Sequence, residues 1–173
     1  MAQARPDLKI EALAAHHDRD GFSCGVDSLD RYLRTQASQD VRRKANAVFI
    51  LVGSDKPDVV LGYYTLCATG VAQGDVPAAA RKHIPRYPLV SATLVGRLAV
   101  SEARQGERLG AMLLADAVRR TYASAATVGS SMLVVDAISE RAAAFYEGNG
   151  FVRLPDSLRL VLPMRAIQRL VEL

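Results

Sequence analysis

Apolar positions along the chain change their period several times, and each change marks an element. Leu8 to Leu13 can form a first strand, whereas Val26, Leu29, Tyr32 and Leu33 follow the spacing of a helix started by Asp27 or Ser28. Val48–Val52 and Val59–Leu66 are rich in Val, Ile and Tyr and flank Gly53, Ser54, Asp55, Lys56, Pro57 and Asp58, which predicts a hairpin of antiparallel strands. Gly70, Gly74, Pro77, Pro85 and Pro88 make Thr69–Pro88 a loop, relieved by a short helix over Ala78–Lys82. A strand over Ala92–Val100, a helix over Glu107–Ala123, a strand over Met132–Val135, a helix over Glu140–Glu147 and a strand near Leu158–Leu162 complete the order. Leu109, Leu113 and Ala117, with Met112 and Leu114 beside them, give the 107–123 helix an apolar stripe.

This order predicts an α/β fold whose middle is a strand–helix–strand crossover. Such a crossover joins parallel strands in a right-handed sense and brings the N-terminus of its helix to the strand ends. Helix dipole and free N–H groups then converge near Gly106–Gly110. A strand, a glycine-bearing turn and a helix start together build a concave nest that holds phosphates. The stretch Arg97–Ala117 therefore points to a pyrophosphate-bearing cofactor.

With 173 residues, half of them hydrophobic, the chain is long enough for one buried core and short for two, which predicts a single domain over residues 1–173. There is no internal repeat, low-complexity tract or Gly/Ser- or Pro-rich linker. Cys24 and Cys67 supply neither a disulfide framework nor a metal-ligand spacing, so a reduced compartment and no metal are expected. Met1 to Asp20 lacks an apolar run behind a basic region, and no stretch is long and apolar enough to span a bilayer; a cytoplasmic protein away from membranes is expected. The net charge of +4 is unevenly placed. Arg31, Arg34, Arg42, Arg43 and Lys44 stand against Asp40 alone, and Arg81, Lys82, Arg86 and Arg97 occupy a segment without an acid. These clusters are either solvated faces or surfaces for an anionic partner such as nucleic acid or coenzyme A.

The run Gln105, Gly106, Glu107, Arg108, Leu109, Gly110, Ala111 after an apolar strand resembles the acyl-CoA pyrophosphate loop of the GNAT superfamily of N-acyltransferases. Ala142, Ala143, Ala144, Phe145, Tyr146, Glu147, Gly148, Asn149, Gly150 and Phe151 resemble that superfamily's second signature, a tyrosine-bearing helix followed by Gly-Phe. Position 108, usually glycine, is arginine here, a side chain that can itself reach a phosphate. Phe22, Ser23, Cys24, Gly25 and Val26, then Leu29, Tyr32 and Leu33, and the stretch Leu94–Val100 are similar to a narrower group, the acetyltransferase toxins of bacterial toxin-antitoxin pairs. The resemblance implies a GNAT-like mixed central sheet with flanking helices and acetyl-CoA as co-substrate. It also implies acetyl transfer to the α-amine of aminoacyl-tRNA, an antitoxin partner with a ribbon-helix-helix domain, and a homodimer.

Acetyl transfer from a thioester needs a neutral amine, an activated carbonyl and a proton for the departing thiolate. Taken alone, Tyr146 reads as a packing residue like Phe145, but the matching signature makes it the candidate acid, and a phenol with a reference pKa of about 10 stays protonated at neutral pH. Backbone N–H groups of Leu98, Ala99 and Val100, on a strand splayed to admit the pantetheine, are candidates to polarise the carbonyl. No carboxylate lies on that strand. An α-amine with a reference pKa of about 8 needs less help from a base than a lysine at about 10.4. Asp136 could act through water, although a turn or capping role competes. Arg34, Arg42, Arg43, Arg81, Lys82 and Arg86 are the candidate tRNA contacts, in competition with solvated surface or an antitoxin-binding face. Cys24 and Cys67 read as small core residues, and His16, His17 and His83 as surface. Two other classes stay open: an N-acetyltransferase for a protein N-terminus or small amine, and a non-catalytic acyl-CoA or nucleic-acid-binding module.

Overall fold

Strands β1 (Leu8–Ala12), β2 (Ala47–Gly53) and β3 (Gly62–Ala72) form successive antiparallel pairs in the computed structural model, which describes residues 7–171. Residues 1–6 of the stretch read above for a leader lie outside the described residues. Strands β4 (Leu89–Val100), β5 (Met132–Asp136), β6 (Val152–Arg153) and β7 (Arg159–Pro163) complete a mixed sheet of order β1-β2-β3-β4-β5-β7-β6. β4 and β5 are parallel, as the crossover requires, with α4 (Leu109–Ser124) between them in sequence. A mixed sheet with flanking helices is the architecture the GNAT resemblance implies.

The chain divides into two compact units, one formed by residues up to Leu66 with Arg97–Asp116, the other by Cys67–Gly96 with the residues from Ala117 onward. In the first, period-2 alternation sends Val48, Ile50 and Val52 to one face of β2. There they meet Leu29, Tyr32 and Leu33 of α1 (Asp27–Thr35) and Ala37 of α2 (Ala37–Arg42). Adjacent tyrosines on β3 serve opposite faces. Tyr63 donates to the Leu29 carbonyl of α1 (2.6 Å), whereas Tyr64 stacks on Phe49 and donates to Asp116 of α4 (2.6 Å). Each buried hydroxyl thus finds an acceptor while its ring fills the core.

In the second unit, Met132, Leu133, Val134 and Val135 of β5 are fully buried, the continuous apolar run of a strand covered on both faces. Val71, Val76, Ala80, Ile84, Val90, Ala92, Met132, Val134, Leu154 and Val161 form its core. β3 overruns the loop expected from Thr69. Gly70 does not break it, because the missing side chain leaves room for Leu89, whose side-chain carbons would lie 3.1 Å from an added Cβ. The short helix in that segment is α3 (Ala78–Arg81). Among the described residues, the strands and α-helices beyond those expected are α2, β6 and α6 (Met164–Val171). α2 buries only Ala37 and β6 is two residues long, so neither carries an apolar period. Among the described residues, no helix is long and apolar enough to cross a membrane.

Candidate functional site

The loop from β4 into α4 is built on two residues in the left-handed region, Gly106 (φ 86°) and Arg108 (φ 62°). A Cβ added at Gly106 would meet nothing within 4 Å, so the turn opens onto free space, and Gly106, Glu107 and Arg108 are exposed. Leu109 is buried behind them and roots α4, whose first bond runs from the Met112 N–H to the Arg108 carbonyl (3.2 Å). Gln105 anchors the loop through its side chain, which donates to the carbonyls of Val100 (3.2 Å) and Cys24 (3.1 Å). Glu107 pairs with Arg104 (2.6 Å). Gly110 is half-buried and Ala111 exposed in the first turn of the helix. An exposed turn with left-handed residues leading into a helix start fits a pyrophosphate.

Arg108 holds a conformation that costs an L-residue roughly 1–2 kcal/mol. Its guanidinium has no hydrogen-bond partner among the described residues. Replacing it by Gly relieves the strain and replacing it by Ala keeps it, while both remove the side chain. Thermal denaturation should therefore show the Gly variant more stable than the Ala variant by about 1 kcal/mol; equal melting temperatures would contradict a strained cradle.

Upstream of the loop, the parallel ladder to β5 has its last rung at Val95↔Val135, and β4 continues past it to Val100. Leu98 and Val100 are half-buried and Ala99 is buried. Gly62 of β3 lets this stretch approach closely. A Cβ there would lie 2.8 Å from the Ala99 carbonyl and 2.9 Å from a Leu113 methyl. The end of β4 is held further by a bond from the Ser101 N–H to the Leu61 carbonyl (2.9 Å).

Tyr146 lies on α5 (Glu140–Gly148), whose N-cap Ser139 accepts from the Ala142 N–H (3.1 Å). Asn149 closes the other end by donating to the Phe145 carbonyl (2.8 Å). The Tyr146 ring makes edge contacts with Phe145 and Phe151 at 5.1 and 5.6 Å. Only 7% of it is exposed, and burial pushes its phenol up to about 12. Its hydroxyl has no hydrogen-bond acceptor among the described residues. The group is thus a neutral donor held in place by aromatic packing.

The basic candidates fall into both units. Arg34, Arg42 and Arg43 are exposed on or beside α1 and α2 in the first. Lys82 and Arg86 are exposed in the second. Arg81 differs: its guanidinium donates to the Val76 carbonyl (2.8 and 3.1 Å) and the Gly74 carbonyl (3.4 Å), so it staples its own loop. Burial and then Lys82 lower the His83 pKa, with smaller contributions from Arg169 and Arg165 of α6, two exposed cations that extend this basic ground. Their one-turn spacing on the last helix was the available signal.

Asp136 accepts a bidentate pair from Arg159 (2.7 and 2.9 Å), a partner the sequence did not indicate. Cys24 is buried and Cys67 half-buried. His17 is not a surface residue; it is only 3% exposed. Its Nδ1 accepts from the Ala14 N–H (2.9 Å), so the neutral ring carries its proton on Nε2 and donates to Glu11 (2.8 Å). Glu11, His16 and His17 bring ligand-type atoms within 4.8 Å, but that proton occupies the nitrogen a metal would need.

No protein-family model matches the chain. A tRNA-acetylating toxin of Mycobacterium tuberculosis is 34% identical over 155 residues, covering 89% of this chain and 90% of that one. The structure of AtaT complexed with acetyl-methionyl-tRNAfMet matches with a TM-score of 0.87 at 33% identity, over 95% of this chain and 99% of that one. A tyrosine-to-phenylalanine mutant of AtaT, bound to the C-terminus of the antitoxin AtaR and acetyl-CoA, matches with a TM-score of 0.83 at 31% identity, over 96% and 99%.

Proposed function

Because the chain belongs to the family of tRNA-acetylating toxins, we propose that it transfers acetyl from acetyl-CoA to the α-amine of an aminoacyl-tRNA, so that the charged tRNA is lost to translation. The observation that carries this reading is the open cradle at Gly106 and Arg108, set on a helix start at the end of the strand that holds Leu98–Val100. Backbone amides of Gln105–Ala111 hold the pyrophosphate, and amides of Leu98–Val100 polarise the thioester carbonyl. The neutral α-amine attacks that carbonyl, a C–N bond forms and the C–S bond breaks. Tyr146 gives its proton to the departing sulfur and is reprotonated from the proton the amine releases, through solvent. The likeness to AtaT, solved with acetyl-methionyl-tRNAfMet, supports the acceptor, and its complex with AtaR supports an antitoxin for this chain. On the same reading that antitoxin carries a ribbon-helix-helix domain, the chain works as a homodimer, and it acts in the cytoplasm.

Labelled acetyl-CoA offered with charged tRNA, uncharged tRNA, peptides and polyamines tests the proposal. Label is expected on charged tRNA alone; label on peptides or polyamines with none on tRNA would overturn it. The pH profile follows from two groups. The neutral amine fraction rises through about pH 8, and Tyr146, pushed up to about 12, stays protonated well beyond that. Short-time kcat/KM should therefore rise between about pH 7 and 9 and hold level to about pH 10.5. A fall centred near pH 10 would show an acid with an ordinary phenol pKa.

A further inference from the structure

Arg97 is a half-buried cation on the strand that carries Leu98–Val100, and the proposed reaction leaves it without a task. Its guanidinium lies over the ring of Tyr32 at 3.5 Å from the centroid. No carboxylate or carbonyl accepts a hydrogen bond from it among the described residues. Asp40, whose charge interacts with that of Arg97, accepts hydrogen bonds from other groups: Gln36 (3.0 Å), Tyr32 (2.8 Å) and Asn46 (3.0 Å). Gln36, Tyr32 and Asn46, with the charge of Arg97, hold the Asp40 carboxyl below its usual range, so it stays ionised and anchors the Tyr32 hydroxyl beneath the guanidinium. The result is a planar fork of five donors seated on an aromatic ring, with none satisfied among the described residues.

A fork of this kind takes an anionic oxygen pair, and its position selects which one. Arg97 precedes Val100 by about 10 Å of extended strand, on the face it shares with Ala99 and the α1 core rather than at the Gly106–Arg108 turn. With the amides of Leu98–Val100 holding the thioester carbonyl, as proposed above, this sets Arg97 beside the acyl end of the site. In an aminoacyl-tRNA the fixed negative charge closest to the reacting amine is the phosphodiester on the 5′ side of the terminal adenosine. We propose that Arg97, held over Tyr32, forms a subsite for that phosphodiester and so selects amines carried on a nucleotide chain over free amino-acid esters. This rests on the acceptor reading above.

Two acceptors separate the subsite from the reaction: a 3′-aminoacyl-adenosine, which has no phosphodiester, and a 3′-aminoacyl cytidylyl-adenosine, which has one. Wild type should acetylate the second with a kcat/KM about tenfold higher or more, the worth of a charge-assisted hydrogen-bonded pair. Arg97→Gln should abolish that preference and leave the KM for acetyl-CoA within about twofold. Arg97→Lys keeps a cation over Tyr32 without the fork and guards against a folding defect; it should retain the melting temperature and only part of the preference. Binding of uncharged cytidylyl-adenosine against its neutral methylphosphonate analogue gives a readout that needs no turnover and should show the same loss. Equal rates on the two acceptors in wild type, an equal fall on both in Arg97→Gln, or a changed KM for acetyl-CoA alone would overturn the subsite while leaving tRNA acetylation standing. Absence of acetyl transfer to either acceptor and to charged tRNA would overturn both.

Discussion

Replacing Tyr146 by Phe should lower kcat by about 10²–10⁴-fold, the range for loss of a positioned proton donor, and leave the fold intact. The ring keeps its edge contacts with Phe145 and Phe151, and the hydroxyl makes no hydrogen bond among the described residues whose loss would destabilise α5. The deficit should appear in kcat with the KM for acetyl-CoA little changed, since the proton moves only as the C–S bond breaks. Single-turnover acetylation of charged tRNA at saturating acetyl-CoA, beside a melting curve, measures both. An unchanged kcat would remove Tyr146 from the chemistry and return it to the packing role its burial alone suggests.

Gly62→Ala should be nearly as damaging by a different route. The added Cβ would stand 2.8 Å from a backbone oxygen, that of Ala99, and 2.9 Å from a methyl of the fully buried Leu113. Leu113 has no room to yield in a packed core, so β4 must shift at Ala99–Val100. Overpacking of this kind costs about 1–3 kcal/mol, and a displacement of about 1 Å at the amides proposed to hold the thioester costs about 100-fold in rate. Thermal denaturation and acetyl transfer of the same preparation check the two effects together. A variant that melts and reacts like wild type would mean that β4 does not depend on the close approach of β3.

Much of this architecture is legible in the chain because local signals and tertiary demands agree. Leu29, Tyr32 and Leu33 at helical spacing do become the buried stripe of α1, and the unbroken run Met132–Val135 does become a strand covered on both faces. Signals fail where meaning depends on a partner distant in sequence. Gly70 reads as a breaker until Leu89 is seen to need its space. His17 reads as polar surface until the Ala14 amide and Glu11 are seen to satisfy both nitrogens in a buried setting. Arg81 and Arg97 look alike in a basic segment, yet one is tied to the carbonyls of its own loop and the other stands over an aromatic ring with no hydrogen-bond acceptor among the described residues. Arg108 shows a middle case. Its place in the motif marked the position where glycine is usual, and the positive φ confirms the backbone demand, while only the structure shows that arginine meets it under strain.

Acetylation of the α-amine is tested most directly on the 3′ end of the tRNA itself. Charged tRNA is incubated with the protein and acetyl-CoA and digested to nucleosides, and the aminoacyl-adenosine fragment is weighed by mass spectrometry. The expected fragment is heavier by one acetyl group, located on the amino-acid nitrogen by fragmentation and absent with Tyr146→Phe at matched times. An unmodified aminoacyl-adenosine, with acetyl-CoA still hydrolysed or its acetyl group found on another amine, would contradict aminoacyl-tRNA as the acceptor.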